Sequence, residues 1–582
     1  MFSRSAASLS RSFLLLACAF LSQPGLAQAE TVPQILIEGG PGALRENIRQ
    51  YLTIDEEGCA APIWRLQSLL GDARREMAQA AQALGYYRST FTTRLTEEKG
   101  CWQLHIAVTP GEQVKITAVN YIIHGDGGND RSFKELRDNS SVKVGEPLNH
   151  GNYETLKNRM AALASSHGYF DGRFEVSTVR VNAVNSTAEV ELIYDSGRRY
   201  RFGDIRITHN ILDEGFLRRY LAVKEGDYYD TDTLLELKNL YNQSNYFNVA
   251  TASPDIQHLE DYQVPIDIVL EERKRRAYSA GLGAATDTGA RVLLGFEDRY
   301  VNDSGHSIVA NFNASKVTMG YELAYVIPMK RPAFEHLKLL NGYEKEETDT
   351  SYSNKRTIGA NYTYQRNRWL QTYAINFENE SSRIGDNPYD KTNLIIPSLT
   401  LLRTKIDGSP YPLQGWTLTG TLSGSPKTFG SDVSFLQFYS RLKYIVGLPV
   451  GRVLFRTEIG ATQVNDFDLL PASKRYFAGG DTSVRGYAYE SLGPVDDTGK
   501  VVGGNNLLVS SIEYDFLFRP KWAAAAFFDI GNAADDFDAD LKSSAGLGVR
   551  WISPVGPVRL DFAQPLNDDK GWQIRFTMGP DL

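Results

Sequence analysis

Long apolar runs are missing from this sequence beyond residue 30. No later stretch reaches the roughly 20 consecutive apolar residues that a membrane-spanning helix needs, and the apolar run around Trp522 to Phe528 is far too short. Charge of one sign is missing as well: a formal net charge of -8 over 582 residues is mild and gives no nucleic-acid signal. The eight histidines are scattered, with no metal-ligand spacing such as His-Glu-x-x-His. Gly39-Gly40-Pro41-Gly42 lacks the Gly-Lys-Ser/Thr of a phosphate loop and reads as a turn. No nucleophile–base pair stands out. The chain therefore offers no catalytic residue, no metal site and no cofactor site, and it is read as not an enzyme.

Cysteine is also scarce, with three in the whole chain. Cys18 falls inside the N-terminal segment, where Arg4 and Arg11 precede the short apolar run Ser12 to Leu21 and the small-x-small site Ala27-Gln28-Ala29. Residues 1–29 read as a secretory signal. The rival reading of Leu15-Leu16-Ala17-Cys18 as a lipoprotein box leaves an apolar region of only about four residues, against the roughly 7–15 such signals use. Export places the remaining Cys59 and Cys101 in an oxidising compartment, where two lone cysteines most simply pair. The alternative is two buried free thiols.

The chain is too long for one ordinary domain, and its first half repeats itself. Gly85-Tyr86-Tyr87, Gly168-Tyr169-Phe170 and Asn245-Tyr246-Phe247 recur at a spacing above the usual solenoid periods, so each unit is large enough to be a small domain. Each landmark ends an amphipathic helical pattern: Ala73, Met77, Ala80 and Leu84; then Tyr153, Leu156, Met160 and Leu163; then Leu234, Leu237 and Tyr241. Thr233 and Glu236 have the spacing of a capping box. Each unit opens on a strand, at Gln34 to Glu38, Ile116 to His124 and Asp204 to Thr208, and closes on two more. The predicted order is strand, helix, helix, strand, strand. These units resemble POTRA domains, the periplasmic repeats of outer-membrane assembly factors, with boundaries at 30–112, 113–197 and 198–273. The resemblance implies docking surfaces, because an unpaired sheet edge accepts an extended segment from another chain.

From about Tyr278 the helical period vanishes. Ile358, Ala360, Tyr362 and Tyr364 alternate with Thr357, Gly359, Asn361 and Thr363; Tyr373, Ile375 and Phe377 alternate with Thr372, Ala374, Asn376 and Glu378. This is the dyad pattern of membrane strands, apolar toward lipid and polar toward the lumen. Turn signals such as Asn302-Asp303-Ser304-Gly305 and Asp407-Gly408-Ser409-Pro410 punctuate it. A closed barrel satisfies every backbone group in lipid, as a helix would. Residues 274–582 hold about sixteen antiparallel strands of roughly 9–11 residues. The expected fold class is thus α+β periplasmic repeats, three POTRA-like βααββ domains, followed by an all-β transmembrane barrel.

One segment between predicted strands, Tyr476 to Tyr487, contains Val484-Arg485-Gly486-Tyr487. Ser511-Ile512-Glu513-Tyr514 and Phe527-Phe528-Asp529-Ile530-Gly531 follow it, then Gly546 to Pro557 and Arg559-Leu560-Asp561-Phe562. This ordered set resembles the BamA/TamA superfamily of outer-membrane assembly factors and two-partner secretion pores, whose sixth extracellular loop folds back into the lumen. The resemblance implies that Arg485 pairs with Asp529, with Glu513 nearby and Gly531 beside it on the wall. It also implies that Gly486 permits a tight turn and that Tyr487 packs next to it.

Three POTRA-like units, the overall length and the closing Gly-Pro-Asp-Leu look most like the TamA branch. Membership there implies a TamB-like partner anchored in the inner membrane, unfolded outer-membrane protein clients and membrane lipids, with no nucleic acid. It implies outer-membrane residence in a Gram-negative bacterium, and work on autotransporter or other barrel insertion or on phospholipid traffic. The proposed physics is a weak seam between a first strand, about Ala277 to Ala285 with Gly281 and Gly283, and a last strand, Trp572 to Met578 with Ile574 and Phe576. A secretion pore or passive channel is the alternative. Cys59 and Cys101 fall outside the shared pattern. The basic run Arg273-Lys274-Arg275-Arg276 reads as a solvated linker or a headgroup contact.

Overall fold

The computed structural model describes residues 32–98, 100–406, 411–536, 540–554, 556–569 and 571–579. The signal assigned to residues 1–29, the Asp407 to Pro410 turn and the last three residues lie outside these. The chain divides into two compact units, Met1–Tyr200 and Arg201–Leu582.

The first unit holds two βααββ repeats. One runs through strand Gln34–Glu38, helices Gly42–Tyr51 and Ile63–Ala83, and strands Thr90–Glu98 and Cys101–Thr109. The other runs through strand Lys115–His124, helices Arg131–Asp138 and His150–Ser166, and strands Arg173–Asn182 and Thr187–Asp195. In both, the last strand is central, parallel to the first and antiparallel to its predecessor. Ala73, Met77 and Ala80 bury one helix stripe against Leu104, Ile106 and Val108, which alternate along the central strand.

The recurring Gly-Tyr landmarks are helix stops. Gly85 and Gly168 take left-handed φ values of +84° and +82°. Around Gly85, the Gly85 amide donates to Gln82 O and the Tyr86 amide to Ala81 O, each at 2.9 Å. Gly168 and Tyr169 donate to Ser165 O and Ala164 O in the same way, the Schellman arrangement that satisfies the last carbonyls of a helix. Cys59 and Cys101 are joined in a disulfide that ties the turn before the long helix to the start of the central strand.

The second unit begins with the third repeat: strand Arg201–Thr208, helices Glu214–Arg218 and Thr231–Gln243, and strands Phe247–Pro254 and Gln263–Glu272 in the same topology. Its long helix ends differently. Ser244 leaves in an extended conformation, so the landmark opens on asparagine where the other two need glycine. The capping box expected at Thr233 and Glu236 is corrected here: the cap is Asp230, whose carboxylate accepts the Thr233 amide at 3.0 Å. An aspartate is as good a cap as any residue, and it starts the helix earlier.

Sixteen antiparallel strands then follow in sequential order and close into a barrel, from Arg276–Ala285 to Gln573–Met578. Ile358, Tyr373, Ile375 and Phe377 are exposed on the outer face, while Thr363, Glu378 and Glu380 are buried toward the lumen. No helix among the described residues is long and apolar enough to cross a membrane. Arg275 and Arg276 of the basic run are both held by Asp298 on the second barrel strand, at 2.7 and 3.7 Å.

The disulfide closes a sequence separation of 42 residues. Replacing Cys59 and Cys101 together with serine is expected to lower the stability of the first repeat by about 2–4 kcal/mol. Pulse proteolysis of the full chain across a urea series, reading cleavage within residues 32–110, checks this.

Candidate functional site

Residues 465–505 connect the eleventh barrel strand, Gly451–Val464, to the twelfth, Asn506–Arg519. This segment folds inward instead of projecting away. Ala478, Val484, Tyr487 and Leu492 form a small apolar core with Leu507, Val509 and Ala533 of the wall. Val484 is fully buried, and the isolated bridges Tyr476–Gly504, Ala478–Leu492 and Val495–Val501 brace the segment on itself.

The barrel's pleat supplies the polar end of the site. On the twelfth strand Ser511, Glu513 and Asp515 point inward, and on the thirteenth, Trp522–Ala534, so do Phe527 and Asp529. Arg485 is aimed among them. Its Nε and Nη2 donate to the two oxygens of Asp529, both at 2.8 Å, a fork-to-fork pair. Its Nη1 donates to Glu513 at 2.5 Å and to Asp561 on the fifteenth strand at 3.4 Å. The guanidinium also lies over the Phe527 ring, 3.4 Å from the centroid. Its own backbone amide donates to Asp529 at 3.1 Å, so one carboxylate fixes both the side chain and the chain that carries it.

Val484 to Tyr487 form the expected tight turn, the Tyr487 amide donating to Val484 O at 3.1 Å, with Gly486 inside it though not in a left-handed conformation. Gly486 is also a point of close approach, where an added Cβ would lie 2.8 Å from the Ser544 side chain and 2.9 Å from the Pro565 nitrogen. Gly531 is similar, since a Cβ there would fall 2.5 Å from Leu508 O. Tyr487 packs in the buried core, and its carbonyl accepts from Arg575 at 2.7 Å.

Several participants were not singled out from the sequence. Arg550, fully buried, donates to Glu513 at 2.9 Å and to Asp561 at 2.6 Å, so these two carboxylates are shared with Arg485. Behind it Arg452 and the Tyr411 hydroxyl both donate to Asp515, at 3.0 and 2.9 Å. The signal was their inward phase on neighbouring strands; which inward residues meet depends on register.

The seam places the remaining candidates. Strands one and two pair along the whole of Arg276–Ala285. By contrast, among the described residues the ladder between the first and last strands is the single pair Ala285–Thr577. Thr286 adds a backbone bond to Phe576 O at 3.0 Å and accepts the Phe576 amide at 2.6 Å. Trp572, Ile574 and Phe576 lie exposed on the outer face, as do Tyr278 and Leu282 opposite. Gly281 and Gly283 have no left-handed backbone and have room for a Cβ, so they weaken the strand only by offering no side chain to pack.

The inward loop holds both sides of this seam. Arg575 of the last strand donates to Arg485 O and Tyr487 O, at 2.9 and 2.7 Å. Beyond the end of the first strand, Asp481 accepts the Thr286 amide at 3.1 Å while its own amide donates to Asp287 at 2.9 Å. Asp481 also lies 3.5 Å from Arg575.

Fold and site together define an outer-membrane β-barrel with N-terminal POTRA repeats in the periplasm and an inward loop pinned by an arginine. Residues 276–581 match the Omp85 superfamily domain, and the chain belongs to that superfamily. Residues 34–110 match the POTRA domain described as TamA domain 1, and residues 200–273 match a POTRA family described as a surface antigen variable number repeat. The outer membrane protein assembly factor BamA of Nitratidesulfovibrio vulgaris is 23% identical over 62% of this chain and 48% of its own length. BamA of Neisseria meningitidis is 24% identical over 73% of this chain and 61% of its own. The chain thus spans about half to three-fifths of these relatives. The crystal structure of BamA from Haemophilus ducreyi lacking POTRA domains 1-3 shares the fold, with a TM-score of 0.65 at 18% identity over 80% of this chain and 99% of that one.

Arg485→Ala leaves Asp529 without its fork and Glu513 with Arg550 alone, and is expected to cost about 3–5 kcal/mol. Arg485→Lys recovers only part of this, because an ammonium cannot reproduce the fork. The urea midpoint for loss of the folded barrel's gel mobility measures both.

The loop's grip is expected to depend on pH. Burial and the facing Asp287 carboxylate push Asp481 up to about 6, against the pull of Arg575. This exceeds the unfolded carboxylate value of about 3.9. The folded loop therefore binds the extra proton between about pH 4 and 6, and its hold strengthens as pH falls through that window. Amide exchange at residues 286–288, corrected for intrinsic rates, is expected to slow between about pH 7 and 5 in the native chain and to stay flat in Asp481→Asn.

Proposed function

We propose that this protein assists the assembly of other proteins into the outer membrane by offering the first barrel strand to an incoming client strand. The observation that carries the reading is the seam, where among the described residues one ladder pair and the bonds of Thr286 to Phe576 close a barrel whose other neighbours pair along most of their length. Backbone groups left open on the edge of Arg276–Ala284 are costly in lipid and form a template for another strand. Clients would be unfolded outer-membrane proteins, autotransporters among them, handled without bond-making chemistry.

We further assign the protein to a TamA-like module acting with a TamB-like partner, a reading supported by the match of residues 34–110 to the first TamA POTRA domain. The sheet edges of the repeats would be the docking surfaces. Phospholipid handling at the same seam belongs to this reading too, since an edge that opens sideways also disturbs the lipid beside it. The inward loop favours this reading over a freely conducting channel, because residues 465–505 fold into the lumen and are held there through Arg485 by Asp529 and Glu513.

Cysteines placed at Ala285 and Thr577 and oxidised across the seam are expected to abolish client insertion in proteoliposomes, with recovery on reduction. Insertion that continues undiminished in the cross-linked barrel removes the seam from the mechanism.

A further inference from the structure

Beneath the inward loop lies a lumenal cavity of about 200 Å³. Five cations line it: Arg441 and Lys443 from the tenth strand, Phe435–Leu448, Arg456 from the eleventh, Arg559 from the fifteenth, Gly556–Pro565, and Arg485 from the loop. Its four carboxylates are already engaged. Glu458 accepts from Arg441 at 3.1 Å and from the Tyr439 hydroxyl at 2.7 Å. Glu513 and Asp561 are shared by Arg485 and Arg550, and Asp481 caps the Thr286 amide beside Arg575.

The cation side of the cavity is arranged at a cost. Lys443 sits directly opposite Arg456 in the ladder between strands ten and eleven, and like charges in that relation destabilise a sheet. Arg456 spends its Nη2 on the Ser483 carbonyl at 3.1 Å, while its Nε is buried with no hydrogen-bond partner among the described residues. A buried donor left unmade costs more than a bond gains. Both costs vanish if an anion occupies the cavity.

We propose that this cavity is a binding site for a phosphate group. Guanidinium forks suit phosphate oxygens, and cations arriving from three wall strands and the loop suit an anion with acceptors in several directions better than a planar carboxylate, which a single fork satisfies. Thr577 lines the cavity and is also the residue of the last strand that pairs across the seam. The phosphate can therefore be the headgroup of a lipid reaching in at the seam, or free phosphate from the aqueous lumen. The site shares Thr577 with the seam but does not depend on strand handling, and its test needs no client.

The experiment is titration calorimetry of the full chain in a phosphate-free maltoside micelle, with inorganic phosphate and a soluble short-chain phosphatidic acid as probes. Lys443→Met and Arg559→Gln are compared with the native chain, each first shown to retain folded-barrel gel mobility. Saturable binding that weakens at least tenfold in Lys443→Met is the expected result, with Arg559→Gln as the second variant. If the short-chain lipid binds and competes with phosphate, the headgroup is the source; if phosphate alone binds, the free anion is. Absence of heat with both probes, or affinity unchanged in Lys443→Met, overturns the proposal.

Discussion

A single guanidinium, buried among carboxylates from three wall strands, decides where the long loop lies. Arg485 reaches Asp529 through a bidentate pair and Glu513 and Asp561 through its remaining nitrogen. All of these groups are buried, so removing the arginine leaves Asp529 without its fork and Glu513 and Asp561 with Arg550 alone. That asymmetry keeps the segment 465–505 inside the barrel. The apolar contacts of Val484 and Tyr487 add burial, and the close approach at Gly486 lets the chain lie near enough to the wall for the ion pairs to form.

The seam depends on that placement. The first and last strands make too few bonds with each other to define their own closure. The loop substitutes for the missing ladder, gripping the last strand through Arg575 and the first hairpin through the exchange of carboxylates and amides between Asp481 and Asp287. A barrel closed by side chains and a loop opens in fewer steps than one closed by a continuous ladder, because a ladder is lost only bond by bond along its length. The proposed strand handling follows from this division: continuous pairing around most of the wall, and at one place a short closure held by the loop.

How far the sequence reads into this structure follows from what periodicity reports. A dyad pattern says which face a residue takes, so the barrel and its outward aromatics are legible from stretches such as Thr357 to Tyr364 and Thr372 to Glu378, whereas the pairing of Arg485 with Asp529 rests on the resemblance of their segments to a known family. The repeats were legible because a Schellman stop demands a left-handed residue, which leaves glycine at Gly85 and Gly168. Periodicity does not report register or closure. Arg550, Asp561 and Arg575 face inward like many neighbours, and their convergence on Glu513 and on the loop needs the order in which strands meet. The contact between Asp481 and the turn after Ala285 joins residues far apart in the chain and carries no local sign. Gly486 shows a different limit: the turn is legible from the sequence, but the close approach of Ser544 and Pro565, which also demands the missing Cβ, carries no local sign.

The most direct test of the central claim is a spin–spin distance across the seam, with labels at the outward positions Leu282 and Ile574, measured in native and Arg485→Ala barrels in lipid. If Arg485 holds the clasp, the native chain gives a narrow distribution and the variant a broader, longer one. An unchanged narrow distribution in Arg485→Ala would contradict the account, because the seam would then be closed by something other than the loop.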